Sequence, residues 1–175
     1  MIDERVTLVN NSDEELGTMD KLLAHVQGRL HRAFSVLIYN EEGELMLQQR
    51  AFHKYHSAGL WTNTCCSHPR PGEPLSEAAA RRLKEEMGLT CELTLENKFI
   101  YHCAFDDDGE LYEHELDYIF VGITNSSPHV NAEEVANWKW ISITQLNEEV
   151  TSHPENFTFW FKEIIKRQLL HAPKN

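Results

Sequence analysis

The stretch Trp61-Thr62-Asn63-Thr64-Cys65-Cys66-Ser67-His68-Pro69 brings a thiol and an imidazole into near register. If it runs extended, its side chains alternate between two faces, so Cys66 and His68 share one while Cys65 takes the other. A Cys–His pair facing one pocket is a site candidate, and adjacent cysteines that cannot both face it do not form a disulfide. Glu113 and Glu115 lie two apart on a predicted strand, so both carboxylates face one side and His114 points away. With His25, His31 and His68 they form a candidate ligand set. Imidazoles and carboxylates suit a first-row divalent ion such as Zn²⁺ or Mn²⁺. Three nitrogens plus carboxylate oxygens exceed the usual four-ligand structural zinc site and favour a higher-coordinate ion.

Elements to position these groups are legible along the chain. A strand over 5–10, a turn at 10–13 and a return strand over 15–18 precede a short helix, capped by Thr18 or Asp20 and ended by Gly28. Strands over 32–39 and 44–50, joined by Asn40-Glu41-Glu42-Gly43, read as a β-hairpin. Residues 51–59 are polar and read as a loop. Pro74 near the start, Gly88 at the end and Ala78, Ala79, Ala80, Leu83 and Met87 at helical spacing predict a helix over 74–88. Strands follow over 93–105 and 111–123, separated by a turn at 106–109, with Leu116, Tyr118 and Phe120 in period two. A strand at 138–141 leads to a helix over 143–150, and a final helix is predicted over 154–170. Strand-rich pieces with interspersed helices give an α+β fold, helices packed on mixed or antiparallel sheets in a single domain over 1–175.

The net charge of -12 repels nucleic acid and anionic membranes, so neither is expected as a main partner. No stretch reaches the roughly 18 apolar residues of a membrane helix. The acidic first residues lack the build of a secretory signal, so a cytoplasmic location and four reduced cysteines are expected.

Residues 67–89 resemble the Nudix box, a loop–helix–loop that binds metal and diphosphate. Glu73, Arg81, Glu85, Glu86 and Gly88 fit its pattern; Ser67 replaces its first Gly, and Arg82 replaces a Glu. Arg82 and Glu86 are four apart and share a helix face. An Arg there can hold phosphate but not metal, so the box looks reused for something other than hydrolysis.

Over nearly the whole chain the sequence is similar to the type 1 isopentenyl-diphosphate isomerases, a divergent Nudix branch. The matching stretches include Gly17-Thr18-Met19-Asp20-Lys21, Leu30-His31-Arg32-Ala33-Phe34-Ser35, Gln49-Arg50-Ala51-Phe52-His53-Lys54, the Trp61 to Pro69 run, Tyr112-Glu113-His114-Glu115 and Phe159-Trp160. The resemblance implies a Nudix-like fold and a 1,3-allylic double-bond shift between isopentenyl and dimethylallyl diphosphate. It implies Cys66 as catalytic thiol and Glu115 as its acid–base partner, with Tyr101 hydrogen-bonded to that acid. It further implies Zn²⁺ or Mn²⁺ on His25, His31, His68, Glu113 and Glu115, and Mg²⁺ on Glu86 and the Cys66 carbonyl. Lys21, Arg50, Lys54 and Arg82 would bind the diphosphate and Trp160 would lie over the developing cation. A small isoprenoid diphosphate is then the expected partner, and a monomer or weak homodimer the expected state.

The residue types suit that chemistry. Protonating an unactivated alkene leaves a tertiary carbocation-like centre, which must be kept dry and which an indole face stabilises by about 0.5–2 kcal/mol. A carboxyl near a divalent cation can be tuned for proton transfer, and a thiol can take or give the second proton. Two alternatives stand beside this reading: a Nudix hydrolase of a nucleoside diphosphate derivative, and a non-catalytic metal-binding module of the same fold.

Overall fold

Two strands of the computed structural model, β3 (His31–Tyr39) and β8 (Tyr112–Ile123), run parallel through the centre of the molecule and are paired from His31↔Glu115 to Tyr39↔Ile123. The structure describes residues 4–104 and 110–172; the turn expected at 106–109 and both extreme termini lie outside that range. Around this pair are arranged β1 (Arg5–Val9) and β2 (Glu15–Asp20) on one side and antiparallel β7 (Thr94–Ala104) on the other. Helix α1 (Lys21–Val26) follows β2 directly, with Asp20 as its cap through a 2.9 Å bond from Leu23 N–H.

Alternation along β3 and β8 creates two cores. Phe34, Val36 and Ile38 join Leu116, Tyr118 and Phe120 on one face, where α2 (Leu75–Met87) covers them with Ala78, Ala79, Leu83 and Met87. The other face packs Leu37 and Tyr39 with Ile119 and Val121 against α3 (Ile143–Ser152) and α4 (Phe159–Lys166). Helix α2 stops at Gly88, whose φ is +64° and where a Cβ would lie only 2.6 Å from the His129 carbonyl oxygen.

The expected β3–β4 hairpin closes only at its turn. Strand β4 (Leu45–Arg50) meets β3 at Tyr39↔Leu45 alone, and then splays away to pair with β9 (Val135–Ile141) and β5 (Trp61–Thr62). Thr64 fills the opened gap: its hydroxyl accepts from Ile38 N–H at 2.9 Å and donates to the Met46 carbonyl at 2.6 Å. Backbone groups that a regular ladder would have paired are thus satisfied by one side chain. The short strand β6 (Cys65–Ser67) lies in the same opening, paired with β3 at Ser35↔Cys66.

The final helix expected over 154–170 is also broken. A 3-10 turn, Pro154–Asn156, precedes an extended Phe157 and Thr158, and only then does α4 begin. Phe157 bridges to Trp61, and Thr158 N–H donates to the Trp61 carbonyl at 3.0 Å. Tertiary pairing overrides local helical preference here, and the break aims Trp160 at the gap between β3 and β4. Among the described residues no helix is long and apolar enough to cross a membrane.

Candidate active site and metal-binding cluster

On the face of β8 that carries Ile119 and Val121, the apolar residues give way toward the start of the strand to Asp117, Glu115 and Glu113, all buried. Register sets their neighbours: Tyr101 of β7 and His31 of β3 flank Glu115 on either side. A cavity of about 380 Å³ opens there, between these strands and the gap left by β4. Cys66, His68, Glu113, Glu115, Tyr101 and Trp160 all line it. So do the four expected cations, Lys21, Arg50, Lys54 and Arg82, together with Glu86. Cys65 is buried in the opposite core, as strand alternation requires, and all four cysteines are free thiols.

His25, His31, His68 and Glu115 present ligand atoms that all lie within 4.8 Å of one another. Donors around a divalent ion with bonds of about 2.0–2.2 Å stand roughly 3–4.5 Å apart, so this span fits one ion. The protonation states fit as well. His31 Nδ1 donates to the Arg29 carbonyl at 2.8 Å, which leaves the Nε2 lone pair facing the cluster. Burial lowers His25 to about 3 and His68 to about 4, so both rings are neutral near pH 7. Burial pushes the Glu115 carboxyl up, but His68, 2.8 Å away, and His31 outweigh it and hold the group well below the ordinary carboxylate range. Glu113 stands outside this set of four: burial, reinforced by the charge of Glu115, drives its carboxyl well above the usual value. The Tyr101 hydroxyl lies between the two, 2.6 Å from Glu115 and 2.9 Å from Glu113.

Across the cavity, the Cys66 sulfur is held on two sides. Its S–H donates to Asn63 Oδ1 at 2.9 Å, and Trp160 Nε1–H donates to the sulfur at 3.0 Å. Asn63 cannot turn, because its amide nitrogen donates to the carbonyls of Val36 and Cys65. Burial, reinforced by Asp117 and Glu86, pushes the thiol up, so at neutral pH it keeps its proton. Ser35 donates to Asp117 at 2.8 Å on the floor behind this sulfur. The guanidinium of Arg50 sits 5.4 Å from the centre of the Trp160 ring.

Glu86 is buried and accepts from Arg82 Nη2 at 2.6 Å and Gln48 Nε2 at 2.9 Å. Both of its oxygens are thereby fixed in orientation. Arg81 is bonded instead to Glu73 at 2.7 Å, which ties the loop before α2 to the helix. Several cavity residues carried no signal in sequence. His56, in the polar 51–59 loop, is lowered to about 2 by burial and lies 3.9 Å from Glu113. Glu134, just ahead of β9, pairs with Lys54 and Arg82. Asp117, buried behind the cavity and bonded to Ser35, did carry one, since it extends the Glu113–Glu115 alternation by one step.

The fold is shared with solved structures. The DR0079 protein of Deinococcus radiodurans superposes with a TM-score of 0.78 at 18% identity, covering 94% of this chain and 98% of that one. The MutT protein of Methanosarcina mazei gives 0.65 at 21%, over 79% and 91%. The NUDIX domain family model matches residues 29–161. At the sequence level, the isopentenyl-diphosphate Delta-isomerase of Serratia proteamaculans is 50% identical over 94% of this chain and 91% of its own length. The chain belongs to the isopentenyl-diphosphate Delta-isomerase family. The enzyme of that name from Burkholderia multivorans is 46% identical, over 95% of this chain and 93% of its own. Within the Nudix fold, then, this isomerase-family chain carries Arg82 paired to Glu86 where the Nudix pattern has a further carboxylate.

Proposed function

We propose that this chain interconverts isopentenyl and dimethylallyl diphosphate, with Glu115 and Cys66 as its proton-transferring pair. What carries the reading is the placement of both groups on one cavity, each with a hydrogen-bonded aromatic partner, Tyr101 and Trp160. One member gives a proton to the terminal methylene carbon, and positive charge develops at the adjacent tertiary carbon. The other takes a proton from C2, and the released C–H electron pair becomes the new double bond. The pair has then exchanged protonation states, and Tyr101, touching both Glu115 and Glu113, offers a route by which the acid is reset.

The remaining residues have supporting roles in this reading. The Trp160 ring faces the developing cation, and the buried walls exclude water that would capture it. Lys21, Arg50, Lys54 and Arg82 hold the diphosphate, so binding energy remote from the alkene fixes its position. When bound, Zn²⁺ or Mn²⁺ on His25, His31, His68 and Glu115, with Glu113 as a further ligand, would supply fixed positive charge, and Mg²⁺ at Glu86 and the Cys66 carbonyl would neutralise the diphosphate. Free thiols suit a reducing compartment such as the cytoplasm.

The test is turnover of isopentenyl diphosphate in D₂O with Mg²⁺. Deuterated dimethylallyl diphosphate from wild type, lost in Cys66→Ala and Glu115→Gln, is expected. Folded, metal-loaded wild type that forms no product would overturn the reading.

A further inference from the structure

Three of the four expected cations that line the cavity, Lys21, Lys54 and Arg82, already have anionic partners. Lys21 is paired with Glu4 at 3.0 Å. Lys54 and Arg82 share one carboxylate, Glu134, whose Oε2 meets Lys54 Nζ and whose Oε1 lies 3.3 Å from Arg82 Nη2. That carboxylate is built in. Glu134 N–H donates to the Asn131 carbonyl at 2.9 Å, and Asn131 N–H donates to the Glu86 carbonyl at 2.9 Å, so its turn hangs from α2. The Glu134 carbonyl accepts from Ala51 N–H at 3.0 Å, which fastens the same turn to the loop that carries Lys54. The side chain is only 22% exposed, so its charge is poorly screened. Arg82 Nη2 is also the atom that meets Glu86 at 2.6 Å, so both carboxylates converge on one nitrogen.

We infer that Glu134 is a specificity-determining counter-ion, which makes the Lys54–Arg82 cradle reject a metal-free anion and accept a diphosphate that arrives with a divalent cation. A phosphate oxygen that takes the Lys54 and Arg82 donors now bonded to Glu134 displaces that carboxylate. A free anion offers the displaced carboxylate nothing, and leaves it beside new negative charge. A cation-bound diphosphate brings positive charge to the place where Glu86 and Glu134 meet, so the displaced carboxylate is paired again. The discrimination therefore comes from a repulsive element against the wrong ligand as much as from contacts to the right one.

This inference rests on the reading that Lys54 and Arg82 take the diphosphate. The experiment is calorimetric binding of inorganic pyrophosphate to the full chain, its histidine cluster loaded with Mn²⁺, without added Mg²⁺ and with saturating Mg²⁺. Glu134→Gln is expected to tighten Mg²⁺-free binding by ~10-fold while changing Mg²⁺-pyrophosphate binding by less than ~3-fold. Equal changes under both conditions, or none without Mg²⁺, would overturn the inference. Glu134→Ala is read the same way should the Gln variant fold poorly. Lys54→Met should weaken both forms; if it weakens neither, the cradle itself is misplaced and the role of Glu134 falls with it.

Discussion

Trp160 and Cys66, 94 positions apart, meet through a 3.0 Å bond from the indole N–H to the sulfur. The contact depends on the break at Phe157 and Thr158, because a continuous helix from Pro154 would turn the ring elsewhere. Trp160→Phe keeps a ring over the substrate and removes the N–H. Its kcat should fall about 10-fold with KM little changed, since the lost interaction acts on the reacting centre and not on the diphosphate. Trp160→Ala should additionally cost about 3–5 kcal/mol of stability, measured by denaturant unfolding, because the side chain is 4% exposed.

Tyr101→Phe removes one hydroxyl from between two buried carboxyls. A kcat loss of about 10²-fold is expected, the lower end of what a positioned proton-transfer group contributes. Steady-state kinetics with parallel deuterium incorporation from D₂O would show both falling together; an unchanged kcat would remove Tyr101 from the proton route.

Thr64→Val should destabilise the fold by roughly 2–4 kcal/mol, because it orphans Ile38 N–H and the Met46 carbonyl, both previously served by one hydroxyl. Thr64→Ser keeps the hydroxyl and should lose about 1 kcal/mol. A larger loss in Thr64→Ser than in Thr64→Val, measured by urea unfolding, would mean that the methyl, and not the hydroxyl, holds the splayed strands.

Asp13 gathers Arg32 at 2.8 Å, Lys98 at 3.4 Å and the hydroxyl of Tyr118. Burial alone would raise its carboxyl, yet the bonds from Tyr118 and Arg32 prevail and leave it below its ordinary 3.8. A lowered folded value means that the unfolded chain takes up its proton first as pH falls. The stabilisation is therefore complete above about pH 5 and drains away as pH drops through 3.8 toward the folded value. Asp13→Asn tolerates the left-handed backbone here, φ +65°, and should cost about 1 kcal/mol at pH 7. In chemical denaturation the difference between wild type and variant should shrink steadily as pH falls from about 5 to 3.

How much of this was legible beforehand differs from element to element. Helix α2 was fixed locally by its apolar spacing and Gly88, and the opposed facing of Cys65 and Cys66 followed from strand alternation alone. The same alternation put Glu113 and Glu115 on one face, and motif resemblance placed the family and the expected cations. Those are properties of neighbours in the chain. The splaying of β4 away from β3 and the break before α4 are not, since each depends on a partner far off in sequence, β9 in one case and Trp61 in the other. The row Tyr101–Glu115–His31 exists only through the register of three strands. Protonation was decided last of all. Glu113 and Glu115 are the same residue type two positions apart, yet burial beside a charged neighbour drives one carboxyl up while facing imidazoles hold the other down. Likewise, only folding brings Glu134 between Lys54 and Arg82, 80 and 52 positions away. Sequence determined which chemical groups were available and which way neighbours point; the tertiary structure decided which charges face each other, because Coulomb interactions and desolvation depend on distance through space.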